Sequence, residues 1–279
     1  MSADSVAVAA DHDHAITAER EEKKYLLPHV ALGQLRAQLD RHLTQHRYTG
    51  KDANRLPEAQ HFVTTIYFDT TAHTQYERAE RDPHNNTKVR AKEYYDMHPT
   101  LAEVATSPDD IVHSRPWLWL ELKQRSGDRS EKLRCRLAKR DVQSFFDNAI
   151  TRVVAEEQTV DSVDDRERIA THCQRLGDRL IPSCLVNYQR VAWQNPSAVL
   201  RVTLDFDVAF YRPPADLWTR RSALLRSTLG PTQGIEPWLI VEVKSRGDVP
   251  AWLADTLRAC KANESSFSKF VRAGRAVHR

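Results

Sequence analysis

Six stretches of this chain place a charged or polar residue at every second position: Arg20-Glu22-Lys24, Lys88-Arg90-Lys92, Glu121-Lys123-Arg125, Lys132-Arg134-Arg136, Arg201-Thr203-Asp205-Asp207 and Glu242-Lys244-Arg246. Residues i, i+2 and i+4 of a strand share one face, so each stretch lays its charges along a single side. The other side is mostly apolar: Leu120 and Leu122, Leu133 and Leu137, Val202, Leu204 and Phe206, and Ile240, Val241 and Val243. The pattern predicts strands over 18–27, 61–69, 87–96, 117–125, 130–137, 183–193, 199–210 and 237–246. Ser126-Gly127-Asp128-Arg129 and Gln194-Asn195-Pro196-Ser197 read as hairpin turns. Val30, Leu32, Leu35 and Leu39 recur at helical spacing and predict a helix over 29–43, with further helices over 71–79, 138–149, 164–176, 250–259 and 265–273. The fold class expected is α+β: an eight-stranded antiparallel sheet closed into a barrel, its charged faces lining the lumen and peripheral helices covering its apolar outside. A lumen so lined suits a polyanion and a metal ion.

Composition narrows this picture. The 279 residues carry 41 Lys+Arg against 38 Asp+Glu, a formal net charge of +3. That near balance argues against a general nucleic-acid coat, because the basic residues are sorted onto strands and form no exposed stripe. No internal repeat or long linker divides the chain, so 17–279 reads as one domain behind a small, acidic, disordered tail over 1–16. Cys135, Cys173, Cys184 and Cys260 are far apart and form no Cys-x-x-Cys pair, which reads as buried thiols in a reduced, cytoplasmic setting. No apolar run approaches the roughly 18 residues of a membrane helix, and the start of the chain, with Asp11-His12-Asp13-His14, lacks a signal peptide's basic and apolar regions. A cytoplasmic protein is expected, with room for a separate membrane partner. The histidines show no metal-ligand spacing, and no Gly-x-x-x-x-Gly-Lys loop, Gly-x-Ser-x-Gly elbow or Cys/His dyad is present.

Set in order, the motifs resemble a known family. They are Arg20-x-Glu22-x-Lys24-Tyr25, Tyr67-Phe68-Asp69-Thr70, Lys88-x-Arg90-x-Lys92, Glu121-x-Lys123, Lys132-x-Arg134, Tyr188-x-Arg190, Arg201-x-Thr203-x-Asp205, Glu242-x-Lys244 and Phe267-Ser268-Lys269-Phe270. Any one alone is a common alternation of charge. Together they resemble the VTC-type polyphosphate polymerase domain, a branch of the triphosphate tunnel metalloenzymes, from about Arg20 to Gly274. The resemblance implies catalytic roles for Lys24, Arg90, Lys123, Arg190 and Lys269. It implies phosphate binding by Lys88, Lys92, Lys132, Arg134, Tyr188, Arg201, Lys244 and Ser268. Glu242, with Glu22, would hold Mn2+ or Mg2+ through hard oxygen ligands, and Glu22 and Asp205 would assist the metal or neutralise neighbouring lysines. Lys92 stands where relatives often carry a second arginine, and Ser266 where the eukaryotic polymerase places a lysine. The implied substrates are ATP and inorganic phosphate or polyphosphate, without nucleic acid. The implied reaction is transfer of the ATP γ-phosphate onto a growing polyphosphate. Two alternatives stay open: metal-dependent hydrolysis of an inorganic or organic triphosphate, and a non-catalytic polyphosphate-binding module. Hydrolase and cyclase relatives start Glu-x-Glu-x-Lys, whereas Arg20-x-Glu22-x-Lys24 has one glutamate in that frame, which leans toward the polymerase.

Overall fold

Long strands form where charge and apolar residues alternate, because only an extended chain separates the two kinds onto opposite faces. The computed structural model describes residues 21–46, 60–95, 117–127, 129–147, 160–218 and 224–278; the expected 1–16 tail and Arg20 lie outside them. The eight long strands are β1 (Glu21–Pro28), β3 (Gln60–Asp69), β4 (Asn85–Tyr95), β5 (Trp117–Ser126), β6 (Arg129–Ala138), β7 (Ile181–Gln194), β8 (Leu200–Tyr211) and β10 (Trp238–Ser245). Two-residue strands add β2 (Thr44–Gln45), β9 (Gly234–Ile235) and β11 (Asn263–Glu264). The helices are α1 (Leu32–His42), α2 (Thr74–Arg81), α3 (Val142–Phe146), α4 (Val160–Arg175), α5 (Ala251–Ala259) and α6 (Lys269–His278).

All strands join one antiparallel sheet in the order β11-β1-β10-β8-β7-β3-β4-β5-β6, with β2 paired to β7 and β9 to β8. The sheet curls strongly, since Glu22 of β1 and Lys123 of β5, far apart in that order, come within 3.5 Å. Among the described residues it does not close by hydrogen bonds. The expected sealed barrel is corrected to a curled open sheet, because both edges are already occupied. The free edge of β6 gives the Arg134 N–H to the Asp165 carboxylate of α4 at 2.8 Å, and the free edge of β1 pairs with β11 and accepts the Ser265 N–H at the Lys24 carbonyl. Edges blocked in this way cannot template another strand.

Three hydrophobic clusters fix the curl. On the convex side, Leu35 and Leu39 of α1 and Leu253 and Leu257 of α5 cover Leu27, Trp193, Val202, Leu204, Val241 and Val243. Phe145 of α3 and Ile169 of α4 cover Ile66, Phe68, Leu118, Leu120, Leu122 and Leu137. Each such fully buried side chain is worth about 1.5–3 kcal/mol of transfer free energy. The third cluster lies on the concave side: Val63, Tyr67, Val186, Tyr188, Phe210 and Ile240 pack against Phe267 and Phe270 at the start of α6. Ile240, grouped by sequence with the outer apolar residues, instead shares the inner face with Glu242, two positions away. One half of the concave face is therefore apolar and roofed by α6, and the other half is charged.

Several element boundaries differ from expectation, among them the helix expected over 138–149, which is α-helical over Val142–Phe146, and two of the differences have a clear physical reason. Helix α6 starts at Lys269, not 265, because 263–265 first bond to the β1 edge, and Ser268 then meets the first turn through Val271 N–H at 3.4 Å. Helix α2 starts at Thr74, not 71, after His73 adopts φ 57°. The buried Asp69 carboxylate accepts the N–H groups of Thr70, Gln75 and Tyr76 at 2.8–2.9 Å, capping that helix.

Helix α6 crosses α2 at Gly274, where an added Cβ would stand 2.3 Å from Tyr76 Cδ2. Gly274→Ala should cost about 1–3 kcal/mol through overpacking. It should also loosen α6, read as a lower denaturant midpoint; an unchanged midpoint would contradict this docking.

Candidate functional site

The charged half of the concave face is built by register. Cross-strand partners point to the same side of a sheet, so β1 and β10 set Glu22 against Lys244 and Lys24 against Glu242. The β10–β8 ladder adds Arg201 opposite Lys244, and β8 sets Asp205 against Arg190 of β7. On the far wall, β4, β5 and β6 align Lys88 with Lys123 and Lys132, and Arg90 with Glu121 and Arg134. One residue of the sequence pattern leaves the face. A bulge between β7 and β8 puts Asp207 at φ 50°, and its carboxylate turns out to accept from Gln189 Nε2.

Three carboxylate hubs organise the cations. Asp205, 1% exposed, accepts Arg190 in two-pronged fashion at 2.5 and 2.8 Å and the Lys269 ammonium at 2.5 Å. The ring of Tyr188 lies beside both, 5.4 Å from the Arg190 guanidinium and 4.9 Å from Lys269 Nζ. Glu121 gathers Arg90 at 2.8 Å, Lys92 at 3.3 Å and Arg134 at 3.7 Å. Glu22 meets Lys24, Lys123 and Lys244 at 3.4, 3.5 and 3.7 Å, and Glu242 meets Lys244 at 3.2 Å. The turn into α6 completes the wall: Lys24 Nζ donates to the Phe267 carbonyl at 3.2 Å and Lys88 Nζ to Ser268 Oγ at 3.1 Å.

Every sequence-selected site residue thus lies on this face or on the turn that borders it. Lys132 and Arg201 are placed there by register, and the Lys132 charge acts on Glu121. Sequence reasoning missed the weight of Glu121. It read as the first half of Glu121-x-Lys123, whereas it anchors cations from both neighbouring strands. Its signal was present: a single acid on a basic face, flanked by the outward Leu120 and Leu122.

Burial and crowding oppose each other here. Burial raises the Glu121 carboxyl, but the charges of Lys92, Arg90, Lys132 and Arg134 outweigh it and hold it well below the ordinary range. Burial likewise raises Glu242, and Lys244, Lys24, Arg190 and Lys123 bring it well below. Glu22 and Asp205 follow the same pattern, both ending low. The lysines go the other way. Burial, then the charges of Lys24 and Lys123, lower Lys88 to about 7. Burial, then the charge of Arg90, lowers Lys92 to about 8. Burial lowers Lys123 to about 8, with Glu22 opposing. The named cations outnumber the four carboxylates more than twofold, so the face is short of negative charge, and a phosphate chain supplies it with oxygens that match arginine's fork.

A strongly basic, carboxylate-pinned concave face on an antiparallel sheet is chemically suited to an extended anion such as a chain of phosphates. Comparison with protein families places it further: the VTC domain model matches residues 19–278, and the chain belongs to that family. Among solved structures it is similar to an adenylyl cyclase candidate from Hippeastrum described as having a dominant triphosphatase activity, at 15% identity and a TM-score of 0.51, covering 92% of this chain and 96% of that one. A second similar structure is an adenylate cyclase candidate of Bacillus halodurans, at 13% identity and a TM-score of 0.45, covering 91% of this chain and 97% of that one. No curated protein sequence matches the chain. Among the described residues, no helix is long and apolar enough to cross a membrane, and the membrane partner allowed for from sequence finds no support in the structure.

Proposed function

We propose that this chain is a polyphosphate polymerase that transfers the γ-phosphate of ATP to the end of a growing inorganic polyphosphate and releases ADP. The observation that carries the reading is the set of buried carboxylates that hold surplus cations in place before any substrate arrives. Phosphoryl transfer asks a protein mainly for positioning and charge neutralisation, and cations fixed in advance need no reorganisation during the reaction. In this reading Arg190 and Lys269, pinned by Asp205, grip the reacting phosphate. Arg90, Lys92 and Arg134 hold a neighbouring one, and Lys24, Lys88, Lys123, Lys132, Arg201 and Lys244 guide the chain. The acceptor is an anionic phosphate and needs no strong base. The setting is cytoplasmic, in keeping with four free cysteines of which three are buried.

A divalent metal fits this site. Lys244 Nζ stands 3.2 Å from a Glu242 oxygen and 3.7 Å from a Glu22 oxygen, so a cation already bridges the two carboxylates. Among the described residues no group of three or more His, Cys, Asp or Glu could hold a metal. Two carboxylates with substrate oxygens and water suit Mg2+ or Mn2+, which keep several non-protein ligands. Glu242 and Glu22 would hold the ion, which when bound neutralises and orients phosphate oxygens.

Hydrolysis of a triphosphate is the second reading, favoured by the activity ascribed to the Hippeastrum protein of similar fold. The test is incubation with γ-labelled ATP and Mn2+, with products resolved on a gel. A ladder of labelled polyphosphate with ADP supports the polymerase. Free phosphate alone moves the assignment to a triphosphatase, and unchanged ATP to a binding module.

A further inference from the structure

Glu121 differs from the other lumen carboxylates in sitting between two walls of cations. Its strand is flanked directly by Arg90 on β4 and Arg134 on β6, and Lys92 reaches it diagonally. The Nε and Nη2 atoms of Arg90 both lie 2.8 Å from Glu121 Oε2, with Lys92 Nζ 3.3 Å from the same oxygen. Arg134 Nε is 3.7 Å from Oε1, and its guanidinium lies 3.6 Å from the centre of the Trp119 ring, which fixes its plane. The Glu121 side chain is 2% exposed, and the three cations are 15%, 9% and 5% exposed. Three positive charges converge on one carboxylate, so the cluster keeps a net positive charge behind a fixed geometry.

We propose that Glu121 is a positioning residue that holds Arg90, Lys92 and Arg134 as one preassembled seat for a phosphate group of the substrate, in which Lys92 is the only charge that base can remove. The proposal deepens the functional reading and rests on the lumen being a phosphate site. Guanidinium groups stay protonated throughout the accessible pH range, whereas a lysine does not. Around Lys92 stand Arg90 and Tyr94 of its own strand, Glu121 of β5, Arg134 of β6, and Tyr188 and Arg190 of β7. Glu121 is the one carboxylate in that set. Burial and Arg90 press Lys92 toward its neutral form near pH 8, and Glu121 opposes them. Removing Glu121 therefore releases the forks and lets burial and Arg90 lower Lys92 further.

Calorimetric titration of the full chain with inorganic tripolyphosphate, from pH 7 to 9.5, tests this without turnover. The proteins compared are wild type, Glu121→Gln, Lys92→Arg and the double variant. Protons taken up by the ligand, Lys88 and Lys123 are common to all four. Wild-type affinity should fall more steeply above pH about 8 than that of Lys92→Arg, by up to about tenfold per pH unit. Glu121→Gln should bind about ten- to a hundredfold more weakly at pH 7, and its fall should begin at lower pH. In the Lys92→Arg background that shift of the pH profile should vanish. If Glu121 merely diluted positive charge, Glu121→Gln would bind more tightly; that result, or parallel wild-type and Lys92→Arg profiles, overturns the proposal. Circular dichroism melts establish that the variants fold, and if Glu121→Gln does not, the Lys92→Arg comparison decides alone. Binding that behaves as expected in a protein that turns over no ATP would remove the enzymatic reading and leave this one standing.

Discussion

Lys269→Ala should lower turnover of ATP by about two to three orders of magnitude while leaving the fold intact, the scale of losing one preorganised donor to developing charge. Lys269 opens α6 and reaches Asp205 at 2.5 Å, inside the lumen and 13% exposed. Its loss does not strand Asp205, which keeps both bonds from Arg190. Nor does it unseat α6, whose start stays tied by Lys88 to Ser268 and by Phe267 and Phe270 in the concave cluster. The loss should therefore appear in kcat, with a thermal midpoint within a few degrees of wild type. Wild-type turnover in this variant would remove Lys269 from the site.

Glu242→Ala should have an effect of similar size, with a different signature. Glu242 and Glu22 are the two carboxylates bridged by Lys244, and the site's metal reading depends on their sharing an ion. With Glu242 gone, Glu22 alone faces Lys24, Lys123 and Lys244, so the Mn2+ concentration needed for half-maximal rate should rise at least tenfold alongside the loss in kcat. The Lys244 ammonium keeps Glu22 as a partner, so the sheet should survive. An unchanged metal requirement would mean that the ion, if any, binds elsewhere.

Strand periodicity made most of this molecule legible from sequence. Leu120 and Leu122 between Glu121 and Lys123 leave the chain one way to lie, since a slip of one residue would bury the charges under α4 and expose the leucines. Closure was not legible. Whether β6 meets β1 depends on Asp165, a helix residue 31 positions from Arg134, taking the edge N–H first. Periodicity also failed where the backbone breaks its own rule: the bulge at Asp207 turns a charge out of the face, and no local residue type announces it. At the site, the list of bases was readable because basic residues repeat. Their grouping was not, because Asp205 joins Arg190 on the neighbouring strand to Lys269 at the start of α6, 64 positions away in sequence. Ile240 marks a further limit. It shares the face of Glu242, yet it belongs to the apolar half roofed by α6, a division set by Phe267 and Phe270 near the far end of the chain.

On the proposed reading, this concave face receives a phosphate chain and a divalent ion together. A crystal structure with tripolyphosphate and Mn2+ tests it most directly. An anomalous manganese peak against the Glu242 carboxylate is expected, with the Lys244 ammonium displaced and phosphates against Arg190, Lys269 and the Arg90–Lys92–Arg134 group. Tripolyphosphate bound only on the outer surface, with the hubs at Glu22, Glu121 and Asp205 undisturbed, would contradict it.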